Sequence, residues 1–241
     1  MDSSEFFGKH EYIFSDFDGT ISKYDVIHAF ITTFSKGDWT IAEEKWCKGE
    51  LSTKDCLKIQ FDLITGLKKP IFDDFINSIE IDPYFLEFYE LARALNKKII
   101  ILSDGFDVFI KPTLKRFKID IPVYSNSLIL SEKNGFLTFD MEYPNISKTC
   151  LIGSGCCKCE VARKFSQNYT YIGDGLSDRC IAKKSGLLFA KKSLETFCKQ
   201  EKISYFPYKT FQDIINTVCK EKFYAADGVR FTNGNQNQRI G

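Results

Sequence analysis

The sequence predicts an α/β protein whose core is a doubly wound parallel sheet. Short apolar runs rich in strand-favouring residues recur along the chain, and several of them close on Asp, Ser or Gly. Uninterrupted apolar runs are typical of strands that helices bury on both faces. Between the runs, apolar residues recur at helical spacing. The predicted strands are 12–14, 98–102, 169–172, 187–190 and 203–206.

The first predicted strand ends at two aspartates one residue apart, Asp16 and Asp18. Side chains alternate along a strand, so both carboxylates face the same way at the carboxyl edge of the sheet, where open α/β sheets bind ligands. Two carboxylates this close repel each other unless a cation lies between them or one keeps its proton. The pattern therefore indicates a Mg²⁺ site or a general acid, and an ordinary polar turn is the alternative.

Residues 23–82 interrupt the alternation of strands and helices. Their apolar residues recur at helical spacing and are separated by glycines and a proline. This pattern predicts three or four short helices inserted after the first strand. The next predicted helix, 83–95, leads directly into the second strand, so we assign it to the core.

Two later strands also end in polar turns. The second strand closes on Ser103-Asp104-Gly105, whose hydroxyl and backbone N–H groups can hold a phosphate oxygen. A later strand closes on Gly173-Asp174-Gly175, and Asp178 follows. Because the carboxyl ends of parallel strands meet at one edge of a sheet, we expect these groups to lie beside the two aspartates of the first strand.

The segment after the second strand contains a predicted hairpin and an unusual lysine. Apolar residues within 123–143 flank Asn134-Gly135, a strong signal for a β-hairpin turn. A glycine-rich break then precedes a helix that starts near Lys158. The macrodipole disfavours a cation at a helix N-terminus. Lys158 is therefore either a functional residue or, like most lysines, a solvated one.

The composition predicts a soluble globular protein without a polyanionic partner. The chain has 241 residues, 44% of them hydrophobic, and 33 basic against 32 acidic residues give a net charge of +1. No overall field attracts nucleic acid or an anionic membrane. The sequence contains no membrane-length apolar run, and its N-terminus lacks the basic and apolar stretches of a signal peptide. We therefore expect a cytoplasmic protein.

The nine cysteines raise the question of structural zinc, since Cys156 and Cys159 form a Cys-x-x-Cys pair. No second pair lies at zinc-finger spacing, and the histidines, His10 and His28, are far away in sequence. We expect reduced, mostly buried thiols that neither bind zinc nor support activity.

Four motifs, taken in order, resemble the signature motifs of the haloacid dehalogenase superfamily of aspartate-nucleophile phosphatases. They are Asp16-Phe17-Asp18-Gly19-Thr20, Ser103-Asp104-Gly105, Lys158 and Gly173-Asp174-Gly175-x-x-Asp178. The similarity covers roughly residues 11–217, and the insertion resembles the helical cap of the phosphoserine phosphatase-like branch. Within that branch, Gly155-Cys156-Cys157-Lys158 and Tyr205-Phe206-Pro207-Tyr208 are most similar to the methionine-salvage phosphatases acting on 2-hydroxy-3-keto-5-methylthiopentenyl-1-phosphate.

The resemblance implies a Mg²⁺-dependent phosphomonoesterase that hydrolyses a small phosphorylated metabolite through an aspartyl-phosphate. It implies Asp16 as nucleophile, Asp18 as general acid and base, and Lys158 as the cation that neutralises the phosphate. Mg²⁺ would be held by Asp16, Asp174 and the backbone carbonyl of Asp18, and Asp178 would orient Lys158 or a metal-bound water. The groups implied to hold the phosphoryl oxygens are Lys158, Ser103 and the N–H groups of Phe17, Asp104 and Gly105.

The substrate side departs from phosphoserine phosphatases. In those enzymes an acidic cap residue meets the substrate ammonium and a cap arginine meets its carboxylate, whereas this chain has Asp25 and Gln60 at the aligned positions. Without the arginine the bidentate carboxylate clamp is lost, so a neutral sugar-like or keto phosphate fits better than phosphoserine. The candidate cap contacts are Tyr24, Asp25, Gln60, Trp39 and Trp46, although packing within the cap is the favoured interpretation for the aromatic residues.

The expected organisation is a catalytic core of residues 1–22 and 83–219, a helical cap of residues 23–82, and a tail of residues 220–241. The tail is rich in Asn, Gln and Gly, so we expect it to be disordered. Three alternatives stay open: a phosphoserine or other small-metabolite phosphatase, a phosphotransferase, and a catalytically silent metal-binding module. The presence of both Asp16 and Asp18 argues against the last. The sequence makes no prediction of the oligomeric state.

Overall fold

A computed structural model contains a seven-stranded sheet flanked by helices, as the sequence predicts. It describes residues 6–150 and 153–226. The strands are β1 (Tyr12–Ser15), β2 (Lys98–Phe106), β3 (Val123–Lys133), β4 (Phe136–Glu142), β5 (Thr170–Gly173), β6 (Leu187–Ala190) and β7 (Phe206–Pro207). They lie in the order β4-β3-β2-β1-β5-β6-β7, and the pairs are parallel except for β3 with β4. β1 is therefore central, and β3 and β4 form the predicted hairpin.

The helices connect these strands and fill the insertion. They are α1 (Val26–Phe34), α2 (Thr40–Cys47), α3 (Thr53–Asp62), α4 (Lys69–Ser78), α5 (Phe85–Ala94), α6 (Asp107–Arg116), α7 (Lys158–Arg163), α8 (Arg179–Ala182), α9 (Lys192–Glu201) and α10 (Phe211–Ala226). Helices α1 to α4 lie between β1 and β2, where the sequence predicts the inserted helices. None of the helices in the described residues is long and apolar enough to span a membrane.

Alternation along the central strands separates the core into two hydrophobic clusters. Ile13 of β1 and its register partner Ile99 of β2 belong to one cluster. The next pair, Phe14 and Ile100, belongs to the other. Successive strand side chains point to opposite faces of a sheet, so both faces of this sheet are buried. This is the arrangement of a doubly wound fold.

The insertion is joined to the core at its base and through an aromatic cluster. Ser22 and Ile81 form an antiparallel bridge where the chain leaves and re-enters the core. The buried ring of Phe30 on α1 lies 5.1 Å from Phe109 of α6 and 6.0 Å from Phe139 of β4. The first pair is tilted and the second is edge-to-face, and aromatic contacts at these separations stabilise pairs beyond the area they bury. The insertion and the sheet therefore share hydrophobic packing.

The ends of three elements, β2, β7 and α10, differ from the sequence prediction. β2 continues past Leu102 to Phe106, because a register shift between these residues lets the pairing with β3 resume. β7 is shorter than predicted and starts later, since it is only Phe206–Pro207, paired with Phe189 and Ala190 of β6.

The last helix corrects the prediction for the tail. α10 runs to Ala226, beyond Lys220, where the sequence predicts disorder to begin. Its first turns are anchored by the buried residues Phe211, Ile214 and Val218. Extending an established helix costs little, so polar composition alone does not mark its end. Residues 227–241 of the predicted tail lie outside the described residues.

Candidate active site

A cavity of about 400 Å³ lies between the carboxyl edge of the sheet and the inserted helices. Its floor includes Asp16, which follows β1, Gly105 of β2 and Asp174, which follows β5. Its other side is formed by residues of α1, α2 and α3. The strand ends thus converge as the sequence predicts, and the cavity falls in the range of about 300–1,000 Å³ that suits a small ligand.

Lys158 is paired with two aspartates from different strand ends. Its Nζ lies 2.9 Å from Asp16 Oδ1 and 2.5 Å from Asp178 Oδ1, and all three side chains are almost fully buried. The same Nζ donates to the Ser177 hydroxyl at 3.3 Å. Burial alone would lower the pKa of Lys158, yet the charges of Asp16 and Asp178 raise it above its ordinary value. The lysine is therefore a fixed, protonated cation beside Asp16.

Asp178 has hydrogen-bond donors on both carboxylate oxygens. Its Oδ1 accepts from Lys158 Nζ and from the Tyr171 hydroxyl, each at 2.5 Å. Its Oδ2 accepts from the backbone N–H groups of Asp174 and Gly175, each at 3.0 Å. Asp178 therefore fixes Lys158 and the turn that carries Asp174.

Asp174 is held against the turn that follows β1. Its Oδ1 accepts from the Thr20 hydroxyl at 3.2 Å, and its Oδ2 accepts from Lys192 Nζ at 2.9 Å. Gly19 has a φ of +71°, and a Cβ there would lie 2.4 Å from Asp174 Oδ2. A side chain at this position is excluded both by the left-handed backbone and by the close approach of the carboxylate.

Asp18 points away from the Lys158 group, toward the insertion. Its Oδ1 accepts from the Val26 N–H at 3.1 Å, and its Oδ2 accepts from the Ser103 hydroxyl at 3.2 Å. Burial, with the charge of Asp25 adding to it, raises the pKa of Asp18 to about 7. A Cβ on Gly105 would lie 2.2 Å from Asp18 Oδ2. The glycine therefore leaves the space that this carboxyl group occupies.

The charges of the site fit a bound divalent cation. Among the described residues, Asp16, Asp174 and Asp178 form a group with carboxylate oxygens within 4.8 Å of one another. Burial raises the pKa of Asp16, Lys158 opposes the rise, and the other two carboxylates add to it. Lys158 contacts two of the three carboxylates and Lys192 contacts the third, so the carboxylates outnumber the ammonium groups that pair with them. Clustered carboxylates are the oxygen donors that a hard cation such as Mg²⁺ prefers.

Two residues of the predicted phosphate-binding set have side chains that point elsewhere. Phe17 is fully buried in the hydrophobic core. The Asp104 carboxylate accepts from the Ser154 hydroxyl at 2.9 Å and from the Cys156 N–H at 2.8 Å. It thus joins β2 to the loop before Lys158. The part predicted for both residues uses only their backbone N–H groups, and that part stays a prediction.

The predicted cap contacts divide into those that line the cavity and one that does not. Asp25, Gln60, Trp39 and Trp46 all line it. Trp39 also packs against the hydrophobic core, which is the interpretation favoured from the sequence, and both tryptophans line the cavity in addition. Tyr24 is not a lining residue; it packs against the hydrophobic core.

Sequence reasoning missed several residues of the cavity, among them His28, Glu43 and Lys192. His28 and Glu43 lie on α1 and α2, and their nearest side-chain atoms are 3.9 Å apart. No local pattern marks them, because they meet only when the helices pack. Lys192 does have a signal, since it is the second residue after the end of β6.

The sequence matches the haloacid dehalogenase-like hydrolases over residues 13–183. The chain belongs to this family. A 2-hydroxy-3-keto-5-methylthiopentenyl-1-phosphate phosphatase of Exiguobacterium sibiricum is 31% identical to this hydrolase over 222 residues, or 88% of this chain and 98% of the relative. One of Bacillus cereus is 31% identical over 207 residues, or 84% and 93%.

Solved structures of the same fold include phosphoserine phosphatases. A substrate-bound phosphoserine phosphatase complex has a TM-score of 0.67 and 20% identity, with 87% of this hydrolase and 98% of that chain covered. A phospho-aspartyl intermediate analogue of phosphoserine phosphatase has a TM-score of 0.67 and 21% identity, with 87% and 99% covered. At this identity the likeness shows the fold alone. The predicted family, hydrolase class and fold of this haloacid dehalogenase-like hydrolase are thus confirmed.

Proposed function

We propose that this chain is a Mg²⁺-dependent phosphomonoesterase that hydrolyses a small phosphorylated metabolite through an aspartyl-phosphate on Asp16. The observation that carries the proposal is the pairing of Asp16, which lines the cavity, with the buried Lys158, whose Nζ lies 2.9 Å from Asp16 Oδ1. A phosphate dianion repels an attacking carboxylate, so a fixed cation beside the nucleophile is what the reaction needs. The backbone of Asp16 is also fixed, since its N–H donates to the Ile172 carbonyl at 2.9 Å.

Asp18 is the proposed proton donor and acceptor. When an oxygen of Asp16 attacks phosphorus, the bond from phosphorus to the leaving oxygen breaks, and Asp18 gives that oxygen a proton. A water then attacks the phosphorus of the aspartyl-phosphate and loses a proton to Asp18, which releases phosphate and restores both carboxyl groups. The orientation of Asp18 toward the inserted helices supports this role, because the leaving group has to lie on that side.

Asp16, Asp174 and the backbone carbonyl of Asp18 are the proposed Mg²⁺ ligands. When bound, Mg²⁺ would supply charge neutralisation for the phosphate. Asp178 is the proposed positioning residue for Lys158, because it contacts the lysine and has its remaining acceptors occupied. Ser103 and the N–H groups of Phe17, Asp104 and Gly105 are the proposed donors to the phosphoryl oxygens.

The insertion is the proposed cap that selects the leaving group. Among the cavity-lining residues that the structure describes, those on the insertion include no lysine or arginine. They do include Asp25 and Glu43, so a substrate carboxylate would be desolvated beside like charges. Apolar lining residues are Ile27, Ile31, Leu57, Trp39 and Trp46. This lining favours an uncharged, partly apolar leaving group.

The first candidate substrate is 2-hydroxy-3-keto-5-methylthiopentenyl-1-phosphate, the compound in the names of the relatives. Its methylthio end is apolar and suits the aromatic part of the cavity, and Gln60 offers hydrogen bonds to hydroxyl and keto groups. A small metabolite as partner, without nucleic acid or membrane, fits the net charge of +1. A cytoplasmic location fits the nine free thiols, which persist in a reducing compartment.

The experiment that tests the proposal measures phosphate released from a panel of phosphorylated metabolites. The panel includes the keto-pentenyl phosphate, sugar phosphates and phosphoserine, each with Mg²⁺ and with excess chelator. We expect Mg²⁺-dependent release that is fastest for the keto-pentenyl phosphate. An acceptor alcohol in a parallel reaction distinguishes hydrolysis from phosphotransfer, because a phosphotransferase would phosphorylate it. Absence of phosphate release from the whole panel would contradict the proposed activity.

A further inference from the structure

Lys192 lies against a proposed metal ligand, although the proposed reaction assigns it no part. It begins α9, and its Nζ is 2.9 Å from Asp174 Oδ2 and 3.1 Å from the carbonyl oxygen of Gly19. The Lys192 side chain is 52% exposed, whereas that of Asp174 is 10% exposed. The carboxylate is thus fixed within the protein, and the ammonium reaches it from the solvent side.

The backbone of Lys192 holds the side chain in this position. Its φ of +50° lies in the left-handed region, which a lysine adopts only when the surrounding structure imposes it. The Ser193 hydroxyl and the Leu194 N–H both donate to the carbonyl oxygen of Asp174, at 3.2 and 3.0 Å. The backbone of Asp174 therefore also fixes the start of α9, which carries the ammonium of Lys192.

Both oxygens of Asp174 have donors in this arrangement. Thr20 donates to Oδ1 and Lys192 to Oδ2, and a Cβ on Gly19 would lie within 2.8 Å of Lys192 Nζ. A cation that binds Asp174 through Oδ2 must therefore share that oxygen with the ammonium or displace it, and one that binds through Oδ1 lies beside the ammonium on the same carboxylate. A half-exposed lysine can leave for water at little cost, because its long side chain is flexible and its head group is strongly hydrated.

We infer that Lys192 is a displaceable counter-ion of Asp174. It neutralises the charge of this carboxylate before Mg²⁺ binds. It weakens Mg²⁺ binding by competing for Asp174 Oδ2 and by like-charge repulsion. The inference rests on the Mg²⁺ site of the proposed function. Lys158 cannot play this part, because it is buried between Asp16 and Asp178 and has no exposed position to move to. Lys192 is thus a positioning residue that sets the Mg²⁺ affinity.

The test compares purified full-length variants by calorimetric Mg²⁺ titration and by thermal unfolding without metal. We expect Lys192→Met to lower the Kd for Mg²⁺ at least fivefold and to lower the metal-free Tm, since Asp174 loses its counter-charge. Lys192→Arg keeps the charge and is expected to stay close to the wild-type Kd. Lys192→Gly removes the charge and the backbone strain together, so an equal tightening in the Gly and Met variants assigns the effect to the charge.

The matched control is Lys199→Met on the same helix. Lys199 is exposed and pairs with Glu195, so its removal changes the net charge without touching Asp174. An unchanged or higher Kd in Lys192→Met, or an equal tightening in Lys199→Met, overturns the inference. An unchanged metal-free Tm in Lys192→Met overturns the counter-ion role. If the wild-type protein binds no Mg²⁺, the metal site of the proposed function fails as well, so the two failures are distinguishable.

Discussion

The cavity has a core side, formed by the strand ends, and a cap side, formed by α1 to α3, and their polar groups are held differently. On the core side, Asp178 is fully buried and has four hydrogen-bond donors. On the cap side, His28 is exposed, and its ring nitrogen Nδ1 lies 3.9 Å from Glu43 Oε1. In the proposed reaction the rigid side faces the phosphoryl group, which all monoesters share. The looser side faces the leaving group, which varies.

This difference orders the expected effects of substitution. A rigid, fully hydrogen-bonded site loses most of its function when one group changes, because its partners have no alternative arrangement. The cap side mixes exposed residues such as Asp25 and His28 with buried ones such as Gln60, and we expect its substitutions to alter substrate preference more than rate. We expect the loss of rate on substitution to be larger on the core side than on the cap side, and the reverse order would contradict this difference between the two sides.

The largest effect is expected for Asp16→Asn. The amide keeps the shape of the side chain but is a poor nucleophile, so phosphate release should fall below detection while the fold is retained. The measurement is steady-state phosphate release with circular dichroism as a check on folding. Asp120→Asn, on the exposed surface after α6, is the control and should behave as wild type. Retention of about a tenth of wild-type activity would reassign the nucleophile.

Asp18→Asn should slow turnover by about 10²- to 10⁴-fold, the usual contribution of a positioned proton donor. Because Asp16 is intact, a phosphoenzyme should accumulate, and labelled phosphate should be released from it by hydroxylamine, which cleaves acyl phosphates. Rapid turnover without any trapped label would show that another group moves the proton.

Gly105→Ala should lower kcat by at least about tenfold, because even a small displacement of a catalytic group from its reactive position slows the reaction. The added Cβ would lie 2.2 Å from Asp18 Oδ2 and 2.9 Å from Ser103 Oγ, so Asp18 has to move. Gly175→Ala is the matched comparison, since its Cβ would meet nothing closer than 3.9 Å. Equal losses in the two variants would mean that the crowding of Asp18 is not the cause.

The smallest change in rate is expected for Gln60→Arg on the cap side. In the wild type, kcat/KM for the uncharged keto-pentenyl or a sugar phosphate should exceed that for phosphoserine by at least about tenfold, or about 1.4 kcal/mol. The added guanidinium can bind a carboxylate and should narrow this gap. Gln212→Arg on α10, outside the cavity, controls for the added charge. Phosphoserine as the better wild-type substrate would contradict the cap assignment.

The core side could be predicted because its signals are local. An apolar run followed by Asp or Ser places a polar group at the end of a parallel strand, and the sheet then brings such ends together. Asp16, Ser103 and Asp174 were found in this way, and the hairpin was found from Asn134-Gly135, whose residues have φ of 54° and 78°. Family resemblance assigned the roles.

The cap side could not be predicted in the same way. Trp39 and Trp46 line the cavity because α2 packs beside α1 and α3, and helical spacing alone does not tell which edge of a ring stays uncovered. Tyr24 turns into the core for the same reason. Lys192 meets Asp174 across the sheet edge through a left-handed backbone that a lysine rarely adopts. Such contacts depend on tertiary packing.

The ring cluster around Phe30 bears on how the chain unfolds. Phe30 packs against Phe72 of the insertion and against Phe109 and Phe139 of the core, and the Ser22–Ile81 bridge closes the base. An element that opens by itself must expose all the surface it shares with its neighbours. The backbone amides of α1 should therefore exchange hydrogen at the rate set by global unfolding, together with those of β1. We therefore expect the inserted helices and the sheet to unfold as one cooperative unit, so that a ligand reaches the strand ends past side chains at the cavity mouth while α1 stays folded.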